Sequence, residues 1–147
     1  KTTDLTIDPI DLREKKYLIF NDYFNELFNC YNDYKEQWPF LHANIQTLDI
    51  PSFNIQRYLP WDHFSKIHTE RSSTSTSHRL FAWMTYLNDL DKNSGGSTKF
   101  EHFDISFEPK KGKTLIWPAE WTHAHSGDII KSGVKYIITG WMCFSFN

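Results

Sequence analysis

The spacing of apolar residues in this chain changes from helical to strand-like after its first third, and that change narrows the folds open to it. Over residues 17–38, aromatic and aliphatic side chains recur every three or four positions, which predicts one amphipathic helix that ends at Pro39. Residues 53–58 then alternate with a period of two, which predicts a strand. The predicted helical stripe consists of Phe20, Phe24, Leu27, Phe28, Tyr31, Tyr34 and Trp38.

Several more short segments have the composition of strands, and turn residues separate them. The run RLFAWMTYL at residues 79–87 is apolar enough for a strand buried on both faces. Many short strands behind one helix predict a mainly β chain with an N-terminal helix, folded as a small barrel or a jelly roll with helices packed outside. The other predicted strands are residues 98–100, 104–107, 114–117, 121–125 and 135–144.

Length and composition exclude several classes of protein. The 147 residues suit a single domain over residues 1–147, with helical support at residues 1–40 and a jelly-roll core at 41–147. A net charge of -2 gives no broad basic field, so we expect no nucleic-acid partner, and no apolar run is long enough to cross a membrane. With only Cys30 and Cys143, a disulfide framework is excluded, and a soluble protein of the reducing cytoplasm is expected.

Histidines next to carboxylates are the residues most suggestive of chemistry. Two histidines and one carboxylate on a β scaffold form the facial triad that holds oxygen-activating Fe(II). A histidine and an acid two positions apart on a strand project to the same face. The chain has two such pairs, His68 with Glu70 and His102 with Asp104.

The second histidine of such a triad is sought in the C-terminal part of the chain, where His123 and His125 precede the last predicted strand. A jelly roll brings together strands that are distant in sequence, which favours a triad that begins at His68. His102 is then a surface histidine. Spacing alone leaves both pairs open, and it does not choose between His123 and His125.

Several tracts in a fixed order resemble the iron(II)/2-oxoglutarate dioxygenases of the prolyl 4-hydroxylase alpha-subunit type, in particular their short phage and bacterial members. In that family the distal histidine lies ten residues before the lysine that binds the cosubstrate, which selects His125 over His123 here because Lys135 follows His125 by ten. The tracts that carry the resemblance are Arg57-Tyr58, His68-Thr69-Glu70, Arg79, Tyr86-Leu87-Asn88, Gly95-Gly96-Ser97-Thr98, Pro109-Lys110-Lys111-Gly112, His125, Lys135 and Trp141.

The resemblance implies a fold, the double-stranded β-helix (a cupin-like jelly roll), and a set of site residues. It assigns Fe(II) to His68, Glu70 and His125, and it assigns the far carboxylate of 2-oxoglutarate to Lys135. Glu70 departs from the family, which has aspartate there, yet a carboxylate at this position implies hydroxylation rather than halogenation. The remaining implied residues are Tyr58, Thr98 and Trp141 beside the cosubstrate and Arg79 towards the substrate.

The resemblance also implies a reaction. O2 and 2-oxoglutarate would be consumed to hydroxylate an unactivated C–H bond, with release of succinate and CO2 and with ascorbate as a candidate reductant. A prolyl residue in a peptide or protein is the first substrate expected, and a small molecule is the second. The polar residues 69–78 are placed to act as a lid. A cupin-like metal enzyme without 2-oxoglutarate and a non-catalytic jelly-roll binding module are the alternatives.

Overall fold

Two antiparallel sheets face each other in the computed structural model, which describes residues 2–45 and 47–145. The larger sheet has the strand order β1-β2-β9-β4-β7, and the smaller has the order β3-β8-β5-β6. The strands are β1 Thr3–Ile7, β2 Phe53–Tyr58, β3 Phe64–His68, β4 Arg79–Tyr86, β5 Thr98–Phe100, β6 Ile105–Phe107, β7 Thr114–Pro118, β8 His125–Gly127 and β9 Lys135–Cys143. The α-helices are α1 Ile19–Glu36 and α2 Pro39–Asn44, and short 3-10 helices occur at Asp11–Arg13, Lys15–Tyr17, Thr74–Thr76 and Trp121–His123.

Helix α1 confirms the predicted helix, but its boundaries and its buried face differ in detail. Leu27 and Tyr31 are buried against the larger sheet, whereas Phe28 and Trp38 are more than half exposed. Successive helical residues point about 100° apart, so Phe28 cannot share the face of its neighbour Leu27. Pro39 begins α2 rather than only ending α1, because a proline at the first helical position loses no hydrogen bond.

Strand β4 is buried on both faces, as its continuous apolar run predicts. Phe81 and Trp83 face α1 in one core cluster, whereas Ala82 and Met84 face the smaller sheet in the other. The first cluster joins α1 to the larger sheet, and the second fills the space between the sheets. The chain is therefore layered as helix, five-stranded sheet and four-stranded sheet.

Some sequence predictions of strands are wrong or incomplete. Residues 121–125 are not one strand: Trp121–His123 form a 3-10 turn, closed by the amide of His123 donating to the carbonyl of Glu120, and β8 begins only at His125. Strands β1 and β3 were not predicted, because both are edge strands whose exposed residues lack a clear apolar alternation. The other predicted strands are present, within one or two residues at each end.

Strand β9 sits in the middle of the larger sheet and supplies one wall of the space between the sheets. Alternate residues Lys135, Ile137, Thr139 and Trp141 face that space, as the shared parity of Lys135 and Trp141 predicts. The chain is thus mostly β, with two antiparallel sheets and an N-terminal helix, the architecture expected from its sequence. No helix within residues 2–45 and 47–145 is both long and apolar enough to cross a bilayer.

Candidate functional site

Two histidines and one glutamate converge where β3 and β8 lie side by side. His68, the last residue of β3, pairs directly with His125, the first residue of β8. Glu70 turns its Oε1 atom towards both rings, 3.2 Å from Nε2 of His125 and 3.6 Å from Nε2 of His68. One ligand atom from each residue lies within 4.8 Å of the other two, so the group is compact enough to hold a metal ion.

Backbone carbonyls fix which nitrogen of each histidine faces the glutamate. Nδ1 of His68 lies 2.9 Å from the carbonyl oxygen of Lys66, and Nδ1 of His125 lies 3.0 Å from that of His123. A carbonyl only accepts, so each Nδ1 carries the proton and donates it. When a ring is neutral, its Nε2 is therefore left with a lone pair directed at the shared point, which is the tautomer that metal ligation requires, whereas a protonated ring turns an Nε2–H towards Glu70.

The glutamate of this group is charged. Burial alone raises the pKa of the Glu70 carboxyl, but hydrogen bonds from His125, His68 and Trp141 outweigh burial and hold that pKa well below its usual range. The shortest of these bonds is donated by Nε1 of Trp141 to Oε2 at 2.7 Å. Burial also lowers the pKa of His68, but its contacts with Glu70 and with the carbonyl of Lys66 raise it overall. Glu70 is therefore an anion that faces the readily protonated ring of His68.

A buried lysine lies in the same cleft, between the two sheets. Lys135 is 3% exposed; its Nζ donates to the carbonyl of Gly96 at 3.0 Å and lies 4.3 Å from the ring centroid of Tyr58. Burial lowers the pKa of Lys135 to about 8, an effect that Asp128 partly offsets. Gly96 has a φ of +78°, and a Cβ there would meet the side chains of Ile130 and Leu90. Only glycine brings its carbonyl so close to the lysine.

Two hydroxyl groups beside the lysine already have hydrogen-bond partners. The hydroxyl of Tyr58 donates to Oε1 of Gln56 at 2.9 Å. Tyr86 donates to the carbonyl of Phe107, so the hydroxyl of Thr98, 2.6 Å from that of Tyr86, is the donor between them. Both hydroxyls would have to turn before they could donate to a bound carboxylate.

One cleft of about 220 Å³ collects seven of the eight predicted site residues. Arg79 is the exception: it stands behind the cleft wall, with its guanidinium carbon 3.7 Å from the ring centroid of Trp141 and Nη1 donating to the carbonyl of Glu70 at 3.0 Å. The seven that line the cleft are Tyr58, His68, Glu70, Thr98, His125, Lys135 and Trp141.

Sequence reasoning missed several residues in and around this cleft, and three of them act on the predicted ones. Phe64 lines the cleft, and its ring centroid lies 4.4 Å from that of His68. Gln56 and Tyr86 orient the hydroxyls beside the lysine. For two of them the available signal was parity: Gln56 and Tyr58 share a face of β2, and Tyr86 shares the buried face of β4 with Met84. Phe64 gave no such signal, because β3 is an edge strand without a clear alternation and its pairing with β8 is irregular between Phe64 and His68.

The alternative histidine pair does not belong to the cluster. His102 and Asp104 are both exposed, and the ring of His102 lies 6.3 Å from that of Trp121. The ring of His123 packs 5.0 Å from that of Phe103, whereas its carbonyl accepts the hydrogen bond from Nδ1 of His125. One premise is corrected as well: Glu70 reaches the site from a bend beyond β3, not from a strand position shared with His68.

The predicted lid is tied to the body of the protein at its start. The hydroxyl of Thr69 and the amide of Arg71 both donate to the carbonyl of Ala119, at 2.8 and 2.9 Å. The guanidinium of Arg71 also forms an ion pair with Glu120 and donates to the carbonyl of Ser77. Residues 69–71 are thus fixed in place beside the cluster.

Comparison with known families gives one clear match. The family model of the 2OG-Fe(II) oxygenase superfamily matches residues 53–143, more than half of the chain. A curated relative, prolyl 4-hydroxylase subunit alpha-2 of Gallus gallus, is 25% identical over 92 residues. The aligned region is 58% of this chain but only 17% of the chicken protein, so the chain spans about a sixth of that relative.

Solved structures show the same fold. A Pseudomonas putida prolyl-4-hydroxylase has a TM-score of 0.69 at 16% identity, covering 99% of this chain and 73% of its own. The viral collagen prolyl hydroxylase of Paramecium bursaria Chlorella virus-1, solved as a 2OG complex, has a TM-score of 0.63 at 21% identity, covering 97% and 78%. A Trichoplax adhaerens prolyl hydroxylase, solved with a hypoxia inducible factor peptide fragment, has a TM-score of 0.66 at 14% identity, covering 95% and 62%. With the family model matching across the strands that carry the cluster, this chain belongs to the 2OG-Fe(II) oxygenase superfamily, a family of dioxygenases that use Fe(II) and 2-oxoglutarate.

Proposed function

We propose that this chain hydroxylates an unactivated C–H bond in a reaction dependent on Fe(II) and 2-oxoglutarate, with His68, Glu70 and His125 as the metal ligands. The observation that carries the proposal is the convergence of two Nε2 atoms and Oε1 of Glu70 within 4.8 Å. Two imidazoles and a carboxylate are the donors of the facial triad, and they leave coordination positions open for cosubstrate and O2. The donor set therefore fits Fe(II), which supplies the oxidising chemistry when bound.

The protein holds its metal ligands in advance. The carbonyls of Lys66 and His123 keep each Nδ1 protonated, so neither histidine has to change tautomer before it binds a metal. The low pKa of Glu70 keeps its carboxylate charged at any pH near neutrality. These contacts reduce the reorganisation that metal binding requires.

We assign the far carboxylate of 2-oxoglutarate to Lys135. A buried ammonium lacks the solvation it has in water, and an anion beside it restores the lost stabilisation. The hydroxyls of Tyr58 and Thr98 are assigned to the same carboxylate, and each is released from its present partner when it turns. Buried Lys135 also argues against the cupin-like alternative, because a metal enzyme without a keto acid has no use for a cation at this place.

The substrate we propose is a prolyl residue of a peptide or protein. Its support is the set of similar proteins, which carry the names prolyl 4-hydroxylase and collagen prolyl hydroxylase. A small molecule is the second candidate. Trp141 walls the metal end of the cleft, and Arg79, which the resemblance assigns to the substrate side, stacks on the Trp141 ring from behind that wall, so we propose that it supports the wall.

We further propose that the two sheets form the double-stranded β-helix of the family and that the chain is a single domain. Support comes from the shared core between the sheets, to which β2, β4, β5, β7 and β9 all contribute. Both cysteines are free, Cys30 exposed and Cys143 buried, which supports a reducing compartment such as the cytoplasm.

The test is product analysis with the full chain loaded anaerobically with Fe(II) and then given 2-oxoglutarate, ascorbate and O2. Succinate release is measured without a substrate, with a proline-rich peptide and with free proline. The peptide is then examined by mass spectrometry for one added oxygen atom. We expect hydroxylated proline in the peptide, no activity in His68→Ala and full activity in His102→Ala. If free proline stimulates succinate release and the peptide does not, the proposed substrate becomes a small molecule. If no succinate is released under any condition, the proposal is overturned.

A further inference from the structure

The two oxygens of the Glu70 carboxylate have different partners. Oε1 faces Nε2 of His125 and of His68, whereas Oε2 accepts the indole N–H of Trp141 at 2.7 Å and lies 3.9 Å from Nη1 of Arg79. We propose that Trp141 is a positioning residue that reserves Oε2, so that Glu70 offers the metal a single oxygen. The inference rests on the proposed function. It goes further because it gives Trp141 a role in orienting the metal ligand Glu70, in addition to its place beside the cosubstrate.

The length of this side chain is the reason that such a restraint matters. Glutamate has one more rotatable bond than the aspartate of the family this chain resembles, so its carboxylate turns more freely. Carboxylates bind metals through one oxygen or through both. A second oxygen from Glu70 would occupy a position that the facial triad must leave open for its reaction partners. A hydrogen bond that holds Oε2 prevents this.

The indole is itself held in place. The guanidinium of Arg79 stacks on the Trp141 ring at 3.7 Å, and its Nη1 donates to the carbonyl of Glu70 at 3.0 Å. A register shift between β4 and β9, just before Phe81, pairs Arg79 with Cys143 and so brings it to the face of β9 that carries Trp141. Glutamate, indole and guanidinium thus form a closed ring of contacts behind the metal ligands.

A simpler role for Trp141 would be to wall the cleft with its ring. Trp141→Phe keeps an aromatic wall and removes the donor. Glu70→Asp shortens the carboxylate so that it can no longer serve the metal and reach the indole together. If Trp141 acts through Oε2, Trp141→Phe should change metal and cosubstrate binding in the protein with Glu70 and not in the Glu70→Asp variant. If Trp141 only walls the cleft, Trp141→Phe should have the same effect in both proteins.

The experiment uses four full-length proteins: wild type, Trp141→Phe, Glu70→Asp and the double variant. Mn(II) alone is titrated into each, and the water-proton relaxivity of the bound ion counts the waters at its open positions. The affinity for 2-oxoglutarate is then measured anaerobically with Fe(II) from the visible charge-transfer band. Trp121→Phe, a tryptophan 68% exposed and outside the cleft, is the control, and near-UV circular dichroism verifies folding.

We expect Trp141→Phe to lower the relaxivity of bound Mn(II) by about a third, because one of three open positions closes. Mn(II) affinity should hold within about threefold, whereas 2-oxoglutarate affinity should fall about tenfold or more, the loss typical of a hydrogen bond to a charged group. In the Glu70→Asp background both changes should vanish. The inference would be overturned if Trp141→Phe lowered the affinities for Mn(II) and 2-oxoglutarate equally or left the relaxivity unchanged. It would also be overturned if Trp141→Phe had the same effect with Glu70 and with Glu70→Asp.

The two readouts separate this inference from the proposed function. If wild type binds Mn(II) but gives no charge-transfer band, the proposed function fails, and the relaxivities of the four proteins still decide the role of Trp141. If wild type binds no metal at all, both fall together.

Discussion

Nε2 of His125 lies 3.2 Å from Oε1 of Glu70, and the carbonyl of His123 keeps the proton of that histidine on the opposite nitrogen. The contact joins β8 to the bend after β3, two parts of the chain that only the fold brings together. Because the carboxylate is charged and both Nε2 atoms point to it, the cluster attracts a cation. Protons and metal ions therefore compete for it.

The first prediction concerns that competition. The pKa of His68 lies above its usual value of 6.5 because its hydrogen bonds to Glu70 and Lys66 outweigh burial. Its proton must leave before Nε2 can bind a metal. Metal affinity should therefore fall about tenfold per pH unit below this raised pKa and level off above it.

An anaerobic Co(II) titration between pH 5.5 and 8.5 measures this dependence. His102→Ala, which changes an exposed histidine outside the cluster, should follow the wild-type curve. An affinity that stays flat across the range would contradict the assignment of His68.

The second prediction concerns the cosubstrate. The pKa of Lys135 is about 8, so the lysine loses its charge as the pH rises through that value. The affinity of the Fe(II)-loaded protein for 2-oxoglutarate should fall above pH 8. Lys135→Met should bind at least about tenfold more weakly, as expected for a lost charge-assisted bond, and without this pH dependence. The same pH curve in both proteins would show that another group is responsible.

The third prediction is that the buried lysine costs stability. Its folded-state pKa lies below its ordinary value of 10.5, so the charged form is disfavoured in the folded protein. The cost is fully present below pH 8, shrinks as pH rises from 8 towards 10.5, and is absent above that. At pH 7, Lys135→Met should raise the free energy of unfolding of the metal-free protein by about 1 to 3 kcal/mol.

Urea unfolding at pH 7 and pH 10 tests the sign, with exposed Lys99→Met on β5 as the matched control. The gain from Lys135→Met should be smaller at pH 10 than at pH 7. A gain that grows with pH would be incompatible with a depressed pKa at this lysine.

The fourth prediction concerns residues 69–78. The guanidinium of Arg71 ties them to Glu120 and to the carbonyl of Ser77, so Arg71→Ala should increase proteolysis within residues 72–77 several-fold while leaving the core resistant. Limited proteolysis with mass spectrometry gives the cut sites. If the segment acts as a lid, substrate should slow its cleavage in wild type, and equal rates with and without substrate would argue against a lid.

Much of this architecture could be predicted because its signals are local. The period of two at Phe53–Tyr58 and the apolar run of β4 are properties of neighbouring residues, and both strands are where the sequence predicts them. The cluster was predictable because His68 and Glu70 lie two residues apart and because the family that the chain resembles has its distal histidine ten residues before a lysine, as His125 lies before Lys135.

The rest depends on contacts between distant segments. Nothing near Trp141 in sequence indicates that its N–H bonds Glu70, and the register shift that turns Arg79 towards it comes from the pairing of β4 with β9. The 3-10 turn before His125 was not predicted because WTHAH has strand composition, whereas two backbone hydrogen bonds, from His123 to Glu120 and from Ala124 to Trp121, close a turn there. Tertiary pairing overrides local preference at these positions.

The central claim is that His68, Glu70 and His125 hold Fe(II) while Lys135 holds the cosubstrate. The most direct measurement is an anaerobic titration of Fe(II) and 2-oxoglutarate, followed by the visible charge-transfer band, on wild type, His68→Ala, His102→Ala and Lys135→Ala. The account predicts a band in wild type and His102→Ala, none in His68→Ala, and a band that needs at least about tenfold more 2-oxoglutarate in Lys135→Ala. No band in wild type, or a band that His102→Ala abolishes and His68→Ala retains, would contradict it.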